Sequence, residues 1–398
     1  MSGEDTLKSP AEVVAKPVGD SLPSALPVAE PPRAIQFLAD YEGCGHWRMI
    51  WPEMVLNGYR LATVHSTNVM CGDRQYYAGA TAVRLQRQGT ANQLEFVRWL
   101  AGLAATAGFR LIYEVDDVML AEDIPAYNAR YKRVLTNPEI RRCLPEIIRL
   151  CHEVTVPNPI LKAYISDRIG HDRVTVLPSY LPRFWIGNFY DPLRIAALYD
   201  AHAARPRVLY AGSGSHFDVA NQAGQEDDFA GVRRAMIATR DRFQWVFLGT
   251  CPPALRFLVD DGSIEFHAWQ RIYDYPAVLQ GLGVQAAVAP LQDNIFNRSK
   301  SNLKYLEASA LGLPIVCQNL GPYTQVPFRF ETADGMVSLL TDLLGDRDRY
   351  LEHSHQARRV AEANWLEDNA NIGGYVELFA HPYGHPGRVT LNRLNGLV

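Results

Sequence analysis

The chain is poor in the features that classify a protein quickly. Its six cysteines, Cys44, Cys71, Cys143, Cys151, Cys251 and Cys317, form no C-x-x-C pair and no framework spacing. That excludes a zinc ribbon or a disulfide scaffold and points to a reducing compartment. No run of about 18 apolar residues occurs, so no membrane-spanning helix is expected. The first residues lack the apolar stretch of a signal peptide. Together with the scattered thiols, this makes a cytoplasmic location the expectation. Neither sign of charge dominates: 39 Lys and Arg face 43 Asp and Glu, a net charge of −4. No global pull toward nucleic acid or an anionic membrane follows. A G-x-G-x-x-G with its acidic partner is missing, and so is a Walker A loop. Gly212-Ser213-Gly214 matches only the first three positions of the former.

What is present is alternation. At 398 residues, two domains are expected. Residues 1–33 are rich in Pro, Ala, Ser and Glu and read as a disordered tail. From Ala34 onward, short apolar runs alternate with helical periods. Strands are expected at 34–40, 59–63, 82–86, 110–115, 153–156 and 174–177. A linker helix covers 192–203, and strands resume at 208–211, 243–249, 264–268, 284–290 and 314–318. A helix is expected over 227–239, helices dominate from 318 to about 379, and residues 380–398 carry no clear pattern. The organisation is a first α/β lobe at 34–190, a linker at 191–205, a second lobe at 206–375, and a segment at 376–398 that packs back on the first lobe. Two doubly wound, Rossmann-like domains then face each other across a cleft.

The stretch from Ala289 to Val316 carries the chemistry. An apolar strand ends in a polar loop, and a helix follows with Lys300, Lys304 and Glu307. Their i, i+4, i+7 spacing puts them on one helical face. Ammonium groups at a helix N-terminus suit a phosphate dianion. A carboxylate one turn further on suits vicinal hydroxyls, as on a ribose. The bland alternative is a solvated face with one weak ion pair. Position beside the C-terminal end of a buried strand favours the ligand reading, a nucleoside diphosphate.

The pattern PL-x-D-x-x-FN-x-x-KS-x-LK-x-x-E-x-x-x-x-G-x-P-I-V resembles the donor-site signature of GT-B glycosyltransferases of the family 4 type. LYAGSGSHFD resembles the first strand and loop of their C-terminal domain. IYEVDDVM and VTVLPSYLP are similar to strands of the N-terminal domain in a subset of that family. The resemblance implies transfer of a hexosyl or pentosyl group, with retention, from a nucleotide-sugar to an acceptor hydroxyl. It implies no metal and no cofactor beyond the donor. It makes Glu307 the ribose carboxylate and Lys300 a diphosphate contact, joined by Lys304, Ser301 and Asn297. Gly212 and Ser213 match the loop whose backbone approaches the diphosphate, and Gly45 falls in a Gly-rich loop that closes over it. Two departures stand out. Ser299 occupies the position of a common glutamate, and the usual Arg–Lys pair of the C-terminal domain is missing. Arg298 and Arg271 are candidates to replace that charge.

Other residues keep more than one reading. Asp116-Asp117 ends a first-lobe strand and could serve an acceptor hydroxyl as base, hold a metal, or cap a helix. Neighbours on a strand point opposite ways, so both serving one site is not expected. Gly43 and His46 belong either to the phosphate loop or to a turn. Arg48 reads as a surface salt bridge or a phosphate contact, and His216 as a solvated or a cleft-facing imidazole. Most of the seven tryptophans are expected in the core. Two other functions compete with glycosyl transfer: a nucleotide-sugar epimerase on the same fold, and a degenerate module that binds nucleotide-sugar or a partner. The acceptor stays open among glycan, lipid-linked glycan, protein, small molecule and modified DNA base.

Overall fold

The strand Ala82–Gln86 is buried at every position, although its sequence AVRLQ includes an arginine and a glutamine. A parallel strand covered on both faces reads as a continuous buried run, and its polar side chains must find partners inside. They do. Arg84 contacts the Glu114 carboxylate, and Arg48 Nε donates to Glu114 Oε1 at 2.6 Å. Arg84 Nη1 donates to the Arg48 carbonyl at 2.8 Å, and Arg48 Nη1 to the Leu177 carbonyl at 2.7 Å. All three charged side chains are almost fully buried. The surface salt bridge expected for Arg48 is therefore corrected: Arg48 braces the centre of the first sheet.

The computed structural model describes residues 30–218 and 226–380. Most of the expected N-terminal tail and most of the expected C-terminal segment lie outside them. The first sheet contains β1 (Arg33–Phe37), β2 (Thr63–Thr67), β3 (Ala82–Gln86), β4 (Arg110–Glu114), β5 (Glu153–Val156) and β6 (Val174–Val176). Their spatial order is β2-β1-β3-β4-β5-β6, all parallel. The second sheet contains β7 (Arg207–Gly212), β8 (Gln244–Gly249), β9 (Ile264–Ala268), β10 (Ala286–Ala289), β11 (Ile315–Gln318) and β12 (Phe328–Phe330). Its order is β12-β11-β10-β7-β8-β9, again all parallel. Helices flank both, so the α/β fold of two doubly wound sheets is present.

Apolar packing joins the lobes. One cluster combines Trp47, Trp51 and Trp185 with Leu306, Ala308 and Ile315. The core of the first lobe includes Phe296, which belongs to the second. After Trp365 the chain returns to the first lobe, and the helix Asn369–Ala380 closes on it. Thr81 Oγ1 donates to the Phe379 carbonyl at 2.6 Å, and the Tyr375 ring lies 5.6 Å from the Arg84 guanidinium. No described helix is long and apolar enough to cross a membrane.

Four local expectations are corrected. Residues 59–62 are a turn, because Tyr59 N bonds back to the Val55 carbonyl and Arg60 takes a left-handed φ of 57°. The strand β2 begins only at Thr63. The helix expected over 227–239 shrinks to Arg233–Ala238, because Asp227 caps the Phe229 N–H and ties Arg233. The strand β12 was not expected, since its three residues are too few to show a period. The helix expected to carry Lys300 is broken into Ile295–Arg298 and Leu303–Ala310. Lys300 sits in the gap, so Lys300, Lys304 and Glu307 do not share one helical face.

Replacing Glu114 by Ala would leave two buried guanidinium groups uncompensated. We predict a loss of about 3–5 kcal/mol in denaturant unfolding. A loss under about 1 kcal/mol, the range of surface pairs, would show that the network does not brace the sheet.

Candidate functional site

Open parallel sheets bind ligands where strand order reverses, at the carboxyl ends of the strands. In the first sheet that point lies between β1 and β3, and in the second between β7 and β10. Four segments leave these ends: Glu42-Gly43 after β1, Arg87 after β3, Gly212-Ser213 at the end of β7, and residues 290–300 after β10. Two cavities open among them, of about 650 Å³ and about 230 Å³. Ser213 lines both.

The smaller cavity gathers Gly212, Lys304 and Glu307 of the second lobe with Gly43, Trp47 and Trp185 of the first. Gly212 is there because nothing larger fits. A Cβ on it would stand 2.6 Å from Tyr210 Oη and 3.1 Å from Lys304 Nζ. The ammonium of Lys304 lies 4.4 Å from the Tyr210 ring centre, a cation–π contact. Burial, with Lys300 nearby, pushes its pKa down to about 8. Burial pushes Glu307 up to about 7, although a hydrogen bond from Tyr275 Oη at 3.0 Å works the other way. Tyr275 in turn stacks on Trp185, with ring centres 6.0 Å apart and planes 8° apart. Trp269 is 58% exposed and lines the same cavity. It is the tryptophan that departs from the core expectation, and it offers a flat apolar face beside the polar groups.

The larger cavity is walled by Tyr127, Tyr131 and Phe296, with Arg87, Asp117 and Lys300. Sequence reasoning missed Arg87. The available signal was a cation directly after a buried strand, in RLQRQG. Arg87 has a left-handed φ of 52°, which is uncommon outside glycine and is often found at functional sites. Its guanidinium contacts Asp116 and donates to Asp117 Oδ2 at 3.0 Å. Both aspartates therefore serve one group, against expectation, because β4 ends at Glu114 and they lie in the bend beyond it. Burial opposes ionisation of Asp116, but Arg87, Cys44 and Arg48 together outweigh it and hold its pKa below the usual range. For Asp117 burial wins, despite Lys300 and Arg87, and its pKa is raised. Asp117 lines the larger cavity, whereas Asp116 lines neither of the two.

Residues 292–300 are held from both lobes. Asp228 is the hub: it accepts from Tyr127 Oη at 2.8 Å, Asn297 Nδ2 at 2.6 Å, the Gln292 N–H at 2.8 Å and His216 Nδ1 at 2.8 Å. His216 is buried at the wall of the smaller cavity, not solvated. Burial and the two lysines depress it to about 3, while its hydrogen bond keeps Asp228 low. It is a neutral imidazole whose Nδ1–H points at a carboxylate. Lys300 lines the larger cavity, with Nζ 4.1 Å from the Phe296 ring centre.

Several expected ligand residues line neither of the two cavities. Asn297 is buried and spends its amide on Asp228, Tyr127 and the Gln292 carbonyl. Ser301 sits in the loop before the helix Leu303–Ala310. Gly45 is packed where a Cβ would collide with the Asp40 carbonyl, and its N–H donates to Asp40 Oδ1 at 3.1 Å. Glu42 and Gly43 form the wall instead, steadied by His46 Nδ1 at 2.9 Å from the Glu42 carbonyl. Arg298 pairs with Asp293 and Arg271 with Asp274, both at the surface, so neither supplies charge to a cavity. Ser299 is fully buried. Among the described residues no group of three or more His, Cys, Asp or Glu side chains is placed to hold a metal ion.

No protein-family model matches the chain, and no curated protein matches it in sequence. Solved structures do match in fold. A glycosyltransferase from Rickettsia africae is 11% identical, with a TM-score of 0.57 over 88% of this chain and 98% of its own. HepE from Anabaena, solved in complex with UDP-glucose, is 11% identical, with a TM-score of 0.54 over 86% and 98%. An α-glucosyltransferase in complex with UDP and a 13-mer DNA containing an HMU base is 9% identical, with a TM-score of 0.51 over 86% and 97%. The fold is thus the two-lobed GT-B fold.

Tyr275→Phe removes a hydrogen bond that favours the Glu307 carboxylate. The Glu307 carboxyl is expected to titrate above its wild-type value of about 7, read by NMR of the labelled side chain. An unchanged or lower value would contradict this geometry.

Proposed function

We propose that this chain is a retaining glycosyltransferase that uses a nucleotide-diphosphate sugar, with a uridine nucleotide as first choice. The convergence of Lys304, Glu307 and the bare Gly212 backbone on one cavity at the second switch point carries the reading. Its chemistry fits a nucleoside diphosphate: a hydroxyl-binding carboxylate, a cation, and a backbone that can be approached closely. HepE and the α-glucosyltransferase, which share the fold, were solved with uridine nucleotides.

The nucleoside occupies the smaller cavity, with its ribose hydroxyls at Glu307 and its base toward Trp269. The diphosphate lies at Ser213, where the cavities meet, between Lys304 and Lys300 and at the start of the helix Leu303–Ala310. First-turn N–H groups of a helix lack intrahelical partners and add to the positive field there. The sugar and the acceptor take the larger cavity. In the reaction, the bond from the anomeric carbon to the diphosphate oxygen breaks and a bond to the acceptor oxygen forms. The hydroxyl proton passes to the released diphosphate. An oxocarbenium-like transition state puts growing negative charge on that leaving group, and preorganised cations at this point lower the barrier most. Asp117 faces the acceptor hydroxyl, while Asp116 holds Arg87 in place.

The test is release of UDP from UDP-glucose and other UDP-sugars, with and without sugar acceptors. Lys300→Ala is expected to cut turnover 100-fold or more, about the 2–4 kcal/mol of one charge-assisted contact. A variant within threefold of wild type would refute the role. Conversion of the donor without any acceptor would instead favour an epimerase.

The affinity for UDP has a definite pH dependence. Glu307 gains its charge as pH rises through about 7, and Lys304 loses its charge as pH rises through about 8. Affinity should therefore peak between these values and fall on both sides, with apparent constants belonging to the coupled pair. Glu307→Gln should flatten the acid limb and, by removing a charge that holds Lys304 up, move the basic limb to lower pH. An acid limb that persists in this variant would assign it to another group.

A further inference from the structure

The gap between the helices Ile295–Arg298 and Leu303–Ala310 has a cause in the other lobe. In an uninterrupted helix the Ser299 carbonyl would accept from the Leu303 N–H, and the Lys300 carbonyl from the Lys304 N–H. Both carbonyls are taken instead by one side chain. Asn158 Nδ2 donates to the Ser299 carbonyl at 2.7 Å and to the Lys300 carbonyl at 3.1 Å. Asn158 itself is fixed. It is the N-cap of the helix Pro159–Tyr164, and its Oδ1 accepts from the Leu161 N–H at 2.9 Å. Its acceptor faces its own helix and its donor faces the other lobe. The carboxamide thus leaves the second lobe's helix to begin at Leu303, without a side-chain cap from Asn302.

We infer that Asn158 is a positioning residue for the donor diphosphate: it turns Lys300 out of the helix and holds it over the larger cavity from the first lobe. This rests on the reading of Lys300 proposed above. Neighbouring contacts act in the same sense. Phe296 is embedded in the first-lobe core, and Tyr127 Oη accepts from Asn297 Nδ2 at 2.9 Å. Gly321 lets the backbone of the second lobe pass close beneath, where a Cβ would stand 2.6 Å from Arg298 Cα. The segment therefore rests on its own lobe and is hooked by the other. The grip on the diphosphate is complete only while the lobes stay together.

Substitution can separate the two ends of Asn158. Asn158→Asp keeps the cap acceptor and loses the donor. Asn158→Ser keeps a capping oxygen, adds no charge, and is too short to reach the carbonyls. Serine and aspartate are both good N-caps, so the helix Pro159–Tyr164 should keep its start. Two lost hydrogen bonds predict UDP binding weakened about tenfold in both variants, measured by calorimetry. A residue that acts through Lys300 should add little once Lys300 is gone. Asn158→Ser combined with Lys300→Ala should thus bind UDP within about threefold of Lys300→Ala alone. Wild-type affinity in both Asn158 variants, or a penalty that adds in full to that of Lys300→Ala, would overturn the inference. If the unmodified protein binds no UDP, the donor reading fails, and amide hydrogen exchange over 299–304 decides the tether. Faster exchange in Asn158→Ser supports the hook, and unchanged protection overturns it.

Discussion

Lys304 carries an ammonium group into the second lobe at the point where β7 and β10 part. Much of the site follows from that burial. Desolvation favours the neutral amine and, at Glu307 one turn along, the neutral acid. The lysine is thereby lowered and the carboxyl raised, so both move toward neutrality. Such opposed shifts in a cleft are typical of binding sites. A ligand that brings an anion to the lysine and hydroxyls to the carboxylate would favour the charged form of both.

The lobes share the work of placing these groups. An aromatic path runs from Trp51 through Trp185 to Tyr275, whose hydroxyl holds Glu307. A polar path runs from Tyr127 to Asp228 and on to His216 and Asn297. Each path starts in the first lobe and reaches a wall of the second-lobe site, at Glu307 and at His216. The anchors of the first lobe stand on a braced centre. Arg48, Glu114 and Arg84 cross-link the sheet below the loops that carry Gly43 and Arg87. A buried ion network of this kind is costly when broken, so it restrains the register of the strands around it.

The sequence made the alternation of strands and helices readable, because fully buried parallel strands are short apolar runs bounded by turns. Strands such as Ala286–Ala289 and Ile315–Gln318 carry that signal most clearly. Lys304 and Glu307 were legible as neighbours because both lie within the one βαβ unit from β10 to β11, whereas Gly212, at the end of β7, was legible only through the resemblance of its strand and loop. What could not be read depends on contacts distant in sequence. The break at Lys300 depends on Asn158, some 140 residues earlier. The burial of Arg48 depends on Glu114, and the joint service of Asp116 and Asp117 depends on Arg87. A polar residue next to a strand looks the same in sequence whether its partner is water or an ion on the next strand. Asn297 illustrates the converse. It belongs to a donor-site pattern, yet its side chain ties the loop together and does not line a cavity.

The most direct measurement is a crystal structure with bound UDP. The account predicts the ribose against Glu307, the diphosphate at Ser213 between Lys300 and Lys304, and the base beside Trp269. Nucleotide density away from the β7–β10 switch point, or a diphosphate out of reach of both lysines, would contradict it.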